Sequence, residues 1–131
     1  MATTNQKVYS RTAWGQVTTA NSALNGTGSM TQILTGALDG TTVNSITVKA
    51  TGSTTQGMIR IFIAPSGGTK YLIAEIPVPA RTQTSVVQAF AITLPSAFCI
   101  NANDEVWAST QNTETFNIFI DAIDWENCSC G

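Results

Sequence analysis

Gly57-Met58-Ile59-Arg60-Ile61-Phe62-Ile63-Ala64-Pro65-Ser66-Gly67-Gly68-Thr69-Lys70-Tyr71-Leu72-Ile73-Ala74-Glu75-Ile76-Pro77-Val78 is the most regular stretch of the chain. In an extended backbone, successive side chains point to opposite faces. Ile59, Ile61 and Ile63 therefore share one face, and Met58, Arg60, Phe62 and Ala64 share the other. Pro65-Ser66-Gly67-Gly68 turns the chain. On the return, Leu72, Ala74 and Ile76 alternate with Ile73 and Glu75. Pro77 and Pro79 then stop the pairing, because proline has no N–H to donate. The stretch reads as a β-hairpin.

The same pattern extends in both directions. Met30 to Leu34 is a short strand, closed by an Asp39-Gly40 turn. Val43 to Thr51 sets Ile46, Val48 and Ala50 against Ser45, Thr47 and Lys49, and Thr51-Gly52-Ser53 breaks it. Beyond the hairpin, Ser85 to Leu94 places Val86, Phe90, Ile92 and Leu94 in one register. Phe98-Cys99-Ile100 is a short apolar piece, and Asp104 to Ser109 turns Val106 and Ala108 inward. Glu114 to Trp125 closes the series with Phe116, Ile118, Ile120 and Ala122 on one face. No window keeps helical apolar periodicity over two turns. Short strands at regular spacing predict an all-β fold. The expectation is an antiparallel β-sandwich, jelly-roll-like, with seven or eight strands over residues 28–126. A chain of this size buries about two thirds of its unfolded surface, so it needs no disulfide or metal staple.

Residues 1–27 differ. They are rich in Thr, Asn, Ser and Gly, with few large apolar side chains. They are expected to form an extended N-terminal arm, with Tyr9, Trp14 and Val17 anchored in pockets of a neighbouring chain. The alternative is an edge strand added to the chain's own sheet. Residues 127–131 form a Cys-containing C-terminal tail.

Charge and composition exclude several functions. Charged residues make up 11% of the chain, and 43% is hydrophobic, which favours collapse over disorder. Six cations cannot neutralise many phosphates, so no nucleic-acid partner is expected. No apolar run approaches the ~18 to 20 residues of a membrane span, and Met1 to Gln16 lacks the apolar region of a secretory signal. With no His, the commonest general base and metal ligand is missing. No Gly-x-Ser-x-Gly elbow occurs. Asp121 and Asp124 fall on opposite faces of a strand, which is wrong for a carboxylate pair. Gly67-Gly68 leads to no helix that could hold a phosphate. No catalytic residue, cofactor or metal site is expected, and the chain reads as not an enzyme.

Three features remain. Cys99, Cys128 and Cys130 are an odd count, against a disulfide framework; free thiols and a disulfide both stay open. Cys128-Ser129-Cys130 is only half of a zinc site. Trp107 points opposite to Val106 and so outward, where core or interface packing and a platform for sugars are both open. Lastly, residues 1–27 carry net +2, residues 28–98 net +2 and residues 99–131 net −6. A basic front and an acidic back would attract each other between neighbouring copies.

The arrangement from Ser45 to Trp125 resembles small β-sandwich structural proteins of tailed-phage virions. Ser45-Ile46-Thr47-Val48, the Thr51-Gly52-Ser53 turn and the Ile59 to Pro65 strand with Ser66-Gly67-Gly68-Thr69 carry the likeness. So do Phe90 to Leu94, Ile100 to Asp104 before Val106, and the closing strand with Phe116, Ile118 and Ile120. The resemblance covers about 80 residues. It implies a non-enzymatic virion protein, a capsid decoration, head-fibre or tail component, made in the host cytoplasm. It also implies association with itself, commonly as a homotrimer, and with major capsid or other virion proteins. Neutral Thr, Ser, Asn and Gln surfaces suit such packing, since like-charge repulsion is small. The rival reading is a carbohydrate-binding β-sandwich module, whose partners are host surface glycans and whose exposed aromatic is Trp107.

Overall fold

The computed structural model describes residues 7–126. Eight strands run in order: β1 (Lys7–Val17), β2 (Thr31–Thr35), β3 (Thr41–Ala50), β4 (Gly57–Ala64), β5 (Tyr71–Val78), β6 (Ala91–Ile100), β7 (Glu105–Thr110) and β8 (Phe116–Glu126). Sheet I has the order β1-β8-β3-β6 and sheet II the order β2-β7-β4-β5. All named pairings are antiparallel. Every connection except the β4–β5 hairpin crosses from one sheet to the other. That interleaved order is the eight-stranded jelly roll.

The alternating apolar residues meet between the sheets. Ile59 and Ile61 of β4, Val106 and Ala108 of β7, Val48 of β3 and Ile118 and Ile120 of β8 are fully buried. Each such aliphatic side chain contributes about 1.5–3 kcal/mol by leaving water. In β3 the inward parity changes: Thr41 and Val43 point in, and then Ile46, Val48 and Ala50 do. A bulge between Val43 and Ser45 absorbs the extra residue. Without it, half the strand would turn its apolar set to water.

Residues 7–17 form an edge strand of the chain's own sheet, the alternative left open for the arm. β1 pairs with β8 along its full length, from Lys7↔Glu126 to Val17↔Phe116. Its inward side chains are Arg11, Ala13, Gly15 and Val17, so its buried face lacks a row of large apolar residues. Gly15 lets β1 close against β2, because a Cβ there would meet Ile33 Cδ1 at 2.6 Å. The first six residues of the expected arm, and the tail 127–131 with Cys128 and Cys130, lie outside the described residues.

Two further expectations are corrected. Ser85 to Gln88 is a loop instead of strand. The Thr84 Oγ1 accepts from the N–H of Val86 and Val87 at 3.2 and 3.0 Å, and Thr84 N–H donates to Val87 O at 2.9 Å. Such local hydrogen bonds compete with a ladder. Conversely, Ala91 to Ile100 is one strand through Pro95. β6 is a sheet edge and Pro95 sits beside the β3 bulge, where a missing donor is tolerated.

Candidate assembly surface

The two sheets treat their outer faces differently. Sheet II is crossed by the β1–β2 connection, residues 18–30. Ala20 bridges Thr110, and Asn21 N–H donates to Thr110 O at 2.8 Å. The Asn21 side chain then knots the loop. Its Nδ2 donates to Thr27 O and Ser29 O at 2.9 and 2.8 Å, and its Oδ1 accepts from Ala23 N at 2.9 Å. Gly26, with φ of 82°, packs on Lys70, where a Cβ would strike the Lys70 carbonyl.

Beneath this strap lie polar and aromatic side chains that point away from the core. Arg60 is buried, donating to Glu75 at 3.3 Å, Gln111 Oε1 at 2.8 Å and Asn21 O at 3.4 Å. Phe62 is fully buried between its cross-strand partners Trp107 and Leu72. Trp107 is therefore no open platform. Its Nε1 donates to Glu105 at 2.9 Å, and Lys70 Nζ sits 4.3 Å above its ring. A cation over an indole face is attracted by the ring quadrupole.

Sheet I has no such cover among the described residues. Trp14 of β1 and Phe119 of β8 are direct cross-strand partners, and Gln16 and Asn117 are partners on the next rung. Gln16 Nε2 donates to Asn117 Oδ1 at 2.8 Å. Trp14 is 68% exposed and Phe119 36%. With Gly15, these residues line a depression of about 370 Å³. Thr47 continues the Trp14 rung beside Phe119, and Thr93 beside Thr47, their hydroxyls 2.9 Å apart. Further along, Trp125 Nε1 donates to Thr42 Oγ1 at 2.8 Å, and Thr42 Oγ1 lies 3.1 Å from Cys99 Sγ. Cys99 is exposed as a free cysteine.

The three expected anchors separate. Trp14 stands out from the face. Val17 is 3% exposed and packs in the chain's own core, so it is not available to a neighbour. Tyr9 is half-exposed at the end of the sandwich, where the hydrogen bond its hydroxyl donates to the Glu126 carboxylate, and after it that carboxylate's charge, raise the phenol above its ordinary 10.0. Phe119 was missed, although its place between the inward Ile118 and Ile120 marks it as outward.

Chemical groups do not converge here. Asp121 faces out on sheet I, whereas Asp124 accepts from Arg11 at 2.9 Å and Thr41 at 2.7 Å. Among the described residues, no group of three His, Cys, Asp or Glu is placed to hold a metal ion. What the face offers is a strand ladder with the rings of Trp14, Phe119 and Trp125 and many neutral hydrogen-bonding groups.

No protein-family model matches the chain, and no curated protein matches its sequence. Solved structures do match in shape. A Bacillus endospore appendage structure, described as a family of disulfide-linked pili, aligns over 95% of this chain and 93% of its own at TM-score 0.50 and 16% identity. The cyanophage Pam1 capsid aligns over 95% and 92% at TM-score 0.44 and 14% identity. A structure of infectious bursal disease virus, Gx strain, aligns over 98% of this chain and 39% of its own, at TM-score 0.43 and 11% identity. The chain thus has an all-β jelly-roll sandwich, a fold it shares with the appendage structure.

Proposed function

We propose that this chain is a non-enzymatic structural subunit of a virion, of the capsid decoration or head-fibre kind. It joins copies of itself, as a homotrimer, and major capsid or other virion proteins through β1 and the bare outer face of sheet I. The observation that carries the reading is the Trp14–Phe119 pair, held open to water on a rigid two-strand ladder. Paired aromatics prefer to be covered, and a Trp at the centre of an interface typically costs about 2 kcal/mol or more when truncated. The contrast with sheet II supports this: there the chain covers its own outer aromatics. The fold likeness to an appendage structure is consistent with a subunit role.

Mass spectrometry of purified particles tests the placement, and incorporation of Trp14→Ser tests the face. The reading expects the chain in the particle and the variant left out while still folded. A chain absent from particles, or a variant incorporated as fully as the native chain, contradicts it.

One observation favours a second reading, a carbohydrate-binding module. Two aromatic rings beside a Gln16–Asn117 amide pair suit a pyranose, which stacks its apolar face and hydrogen-bonds its rim. Glycan-array binding that is lost in Trp14→Ala supports this reading; an array without binding removes it.

A further inference from the structure

The attraction between a cationic front and an anionic back is met inside the chain. β1 lies against β8, so Arg11 reaches Asp124 at 2.9 Å. The two ends of the sandwich also differ in charge. At one end, the β2–β3 turn and the 101–104 turn are bonded side by side. Gly36 N–H donates to Asp104 O at 2.8 Å, and Asn103 N–H donates to Gly36 O at 3.1 Å. These turns and the start of β7 carry Asp104 and Glu105, with Asp39, itself engaged, beside them. Lys70, the cation of the neighbouring hairpin, is held over Trp107. Leu38, next to Asp39 on the β2–β3 turn, is 86% exposed.

The opposite end carries Lys49 and Arg81. It lies about 30 Å away along β3, at about 3.3 Å per residue. The acid there, Glu114, accepts from the N–H and hydroxyl of Thr55 at 2.8 Å. At the first end, Asp104 likewise accepts from Asn101 N–H at 3.0 Å and Glu105 from Trp107 Nε1 at 2.9 Å. All three keep their charge, so the first end has an excess of acid over Lys70 and this end an excess of cation over Glu114. The β5–β6 loop and the end of β3 enclose a groove of about 480 Å³, lined by Lys49, Thr51, Val86, Val87 and their neighbours. Val86 is 91% exposed. The loop is braced: Arg81 and Thr54 exchange backbone bonds at 2.9 and 3.0 Å, and Lys49 Nζ donates to Ala89 O at 3.2 Å.

We infer that copies of this chain dock end to end, the Leu38 turn of one copy seating in the Lys49–Val86–Val87 groove of the next. A second copy is the occupant because the ends are complementary twice over: acids face cations, and an exposed Leu faces exposed Val. Knob and groove sit at opposite ends of the strands, so the contact is heterologous and repeats along the strand axis. This rests on the structural-subunit reading and gives the assembly a direction.

Light scattering on the full chain in a Trp14→Ser background, which silences the sheet I face, tests it over a concentration series. Mass should rise with concentration and fall back as salt goes from about 0.05 to 0.5 M, because screening shortens the reach of end charges. Leu38→Asp and Val86→Asp alter exposed side chains and should leave the circular dichroism unchanged. Each alone should lose the species above monomer mass. Mixed in equal amounts, each variant keeps one working end, and the mixture should reach twice the monomer mass and no more. A mixture that stays monomeric, or single variants that grow like their parent, overturns the end-to-end contact. So does a parent that stays monomeric at every concentration. The subunit reading stands or falls separately, on the chain's presence in purified particles.

Discussion

Sheets I and II have four strands each and matching inner faces, yet their outer faces are opposites. Sheet II buries Arg60 under Asn21 of the 18–30 connection and Phe62 between Trp107 and Leu72, while sheet I leaves Trp14 and Phe119 in water. A sheet side chain that points away from the core is thus not automatically a surface residue. The same residue type, Phe, is structural at position 62 and free for a partner at position 119.

The largest expected effect comes from that pair. Phe62→Ala should cost about 3–5 kcal/mol in urea unfolding, as for a core aromatic. Phe119→Ala should change stability by less than about 1 kcal/mol. Equal costs at the two positions would erase the distinction between the faces.

Next comes the strap. Asn21→Ala removes a buried side chain that satisfies two carbonyls and one N–H. Leaving such groups unpaired costs about 1–3 kcal/mol, and amides of residues 22–28 should exchange hydrogen faster while the β3 and β8 amides keep their protection. Unchanged exchange would show that Asn21 is not what holds the loop down.

How much of this was legible in the sequence follows from the same contrast. The β4–β5 hairpin, β3, β7 and β8 showed themselves because large apolar residues alternate on their inner faces. β1 did not, because Arg11, Ala13 and Gly15 occupy its inner face while Tyr9 and Trp14, the residues that attract notice, are exposed. The strap was invisible because its hold is long-range: a polar loop becomes structural only where Arg60 meets Asn21 O. Trp107 lies opposite Val106 on β7, and its covering by Lys70, which comes from the neighbouring hairpin, is beyond strand parity. The outward position of Phe119 was readable from parity alone.

Smaller effects sharpen the picture. Cys99 is exposed on β6, so a thiol reagent should label it in the folded chain at close to the rate seen in urea; strong protection would mean that sheet I is covered after all. In a Tyr71→Phe variant, ultraviolet titration should show Tyr9 ionising above its ordinary 10.0. A phenol with a raised folded pKa contributes stability below the unfolded value and loses it as pH rises through the folded one. The Tyr9–Glu126 contact should therefore weaken only in strongly alkaline solution, and Glu126→Gln should bring the titration back to the ordinary value.

Hydroxyl-radical footprinting of the free chain against the assembled particle compares the two faces in one experiment. Trp14 and Phe119 should oxidise readily in the free chain and become protected on assembly, while Trp107 stays equally protected in both. If Trp14 oxidises as fast in the particle as in free solution, the outer face of sheet I is not the contact surface.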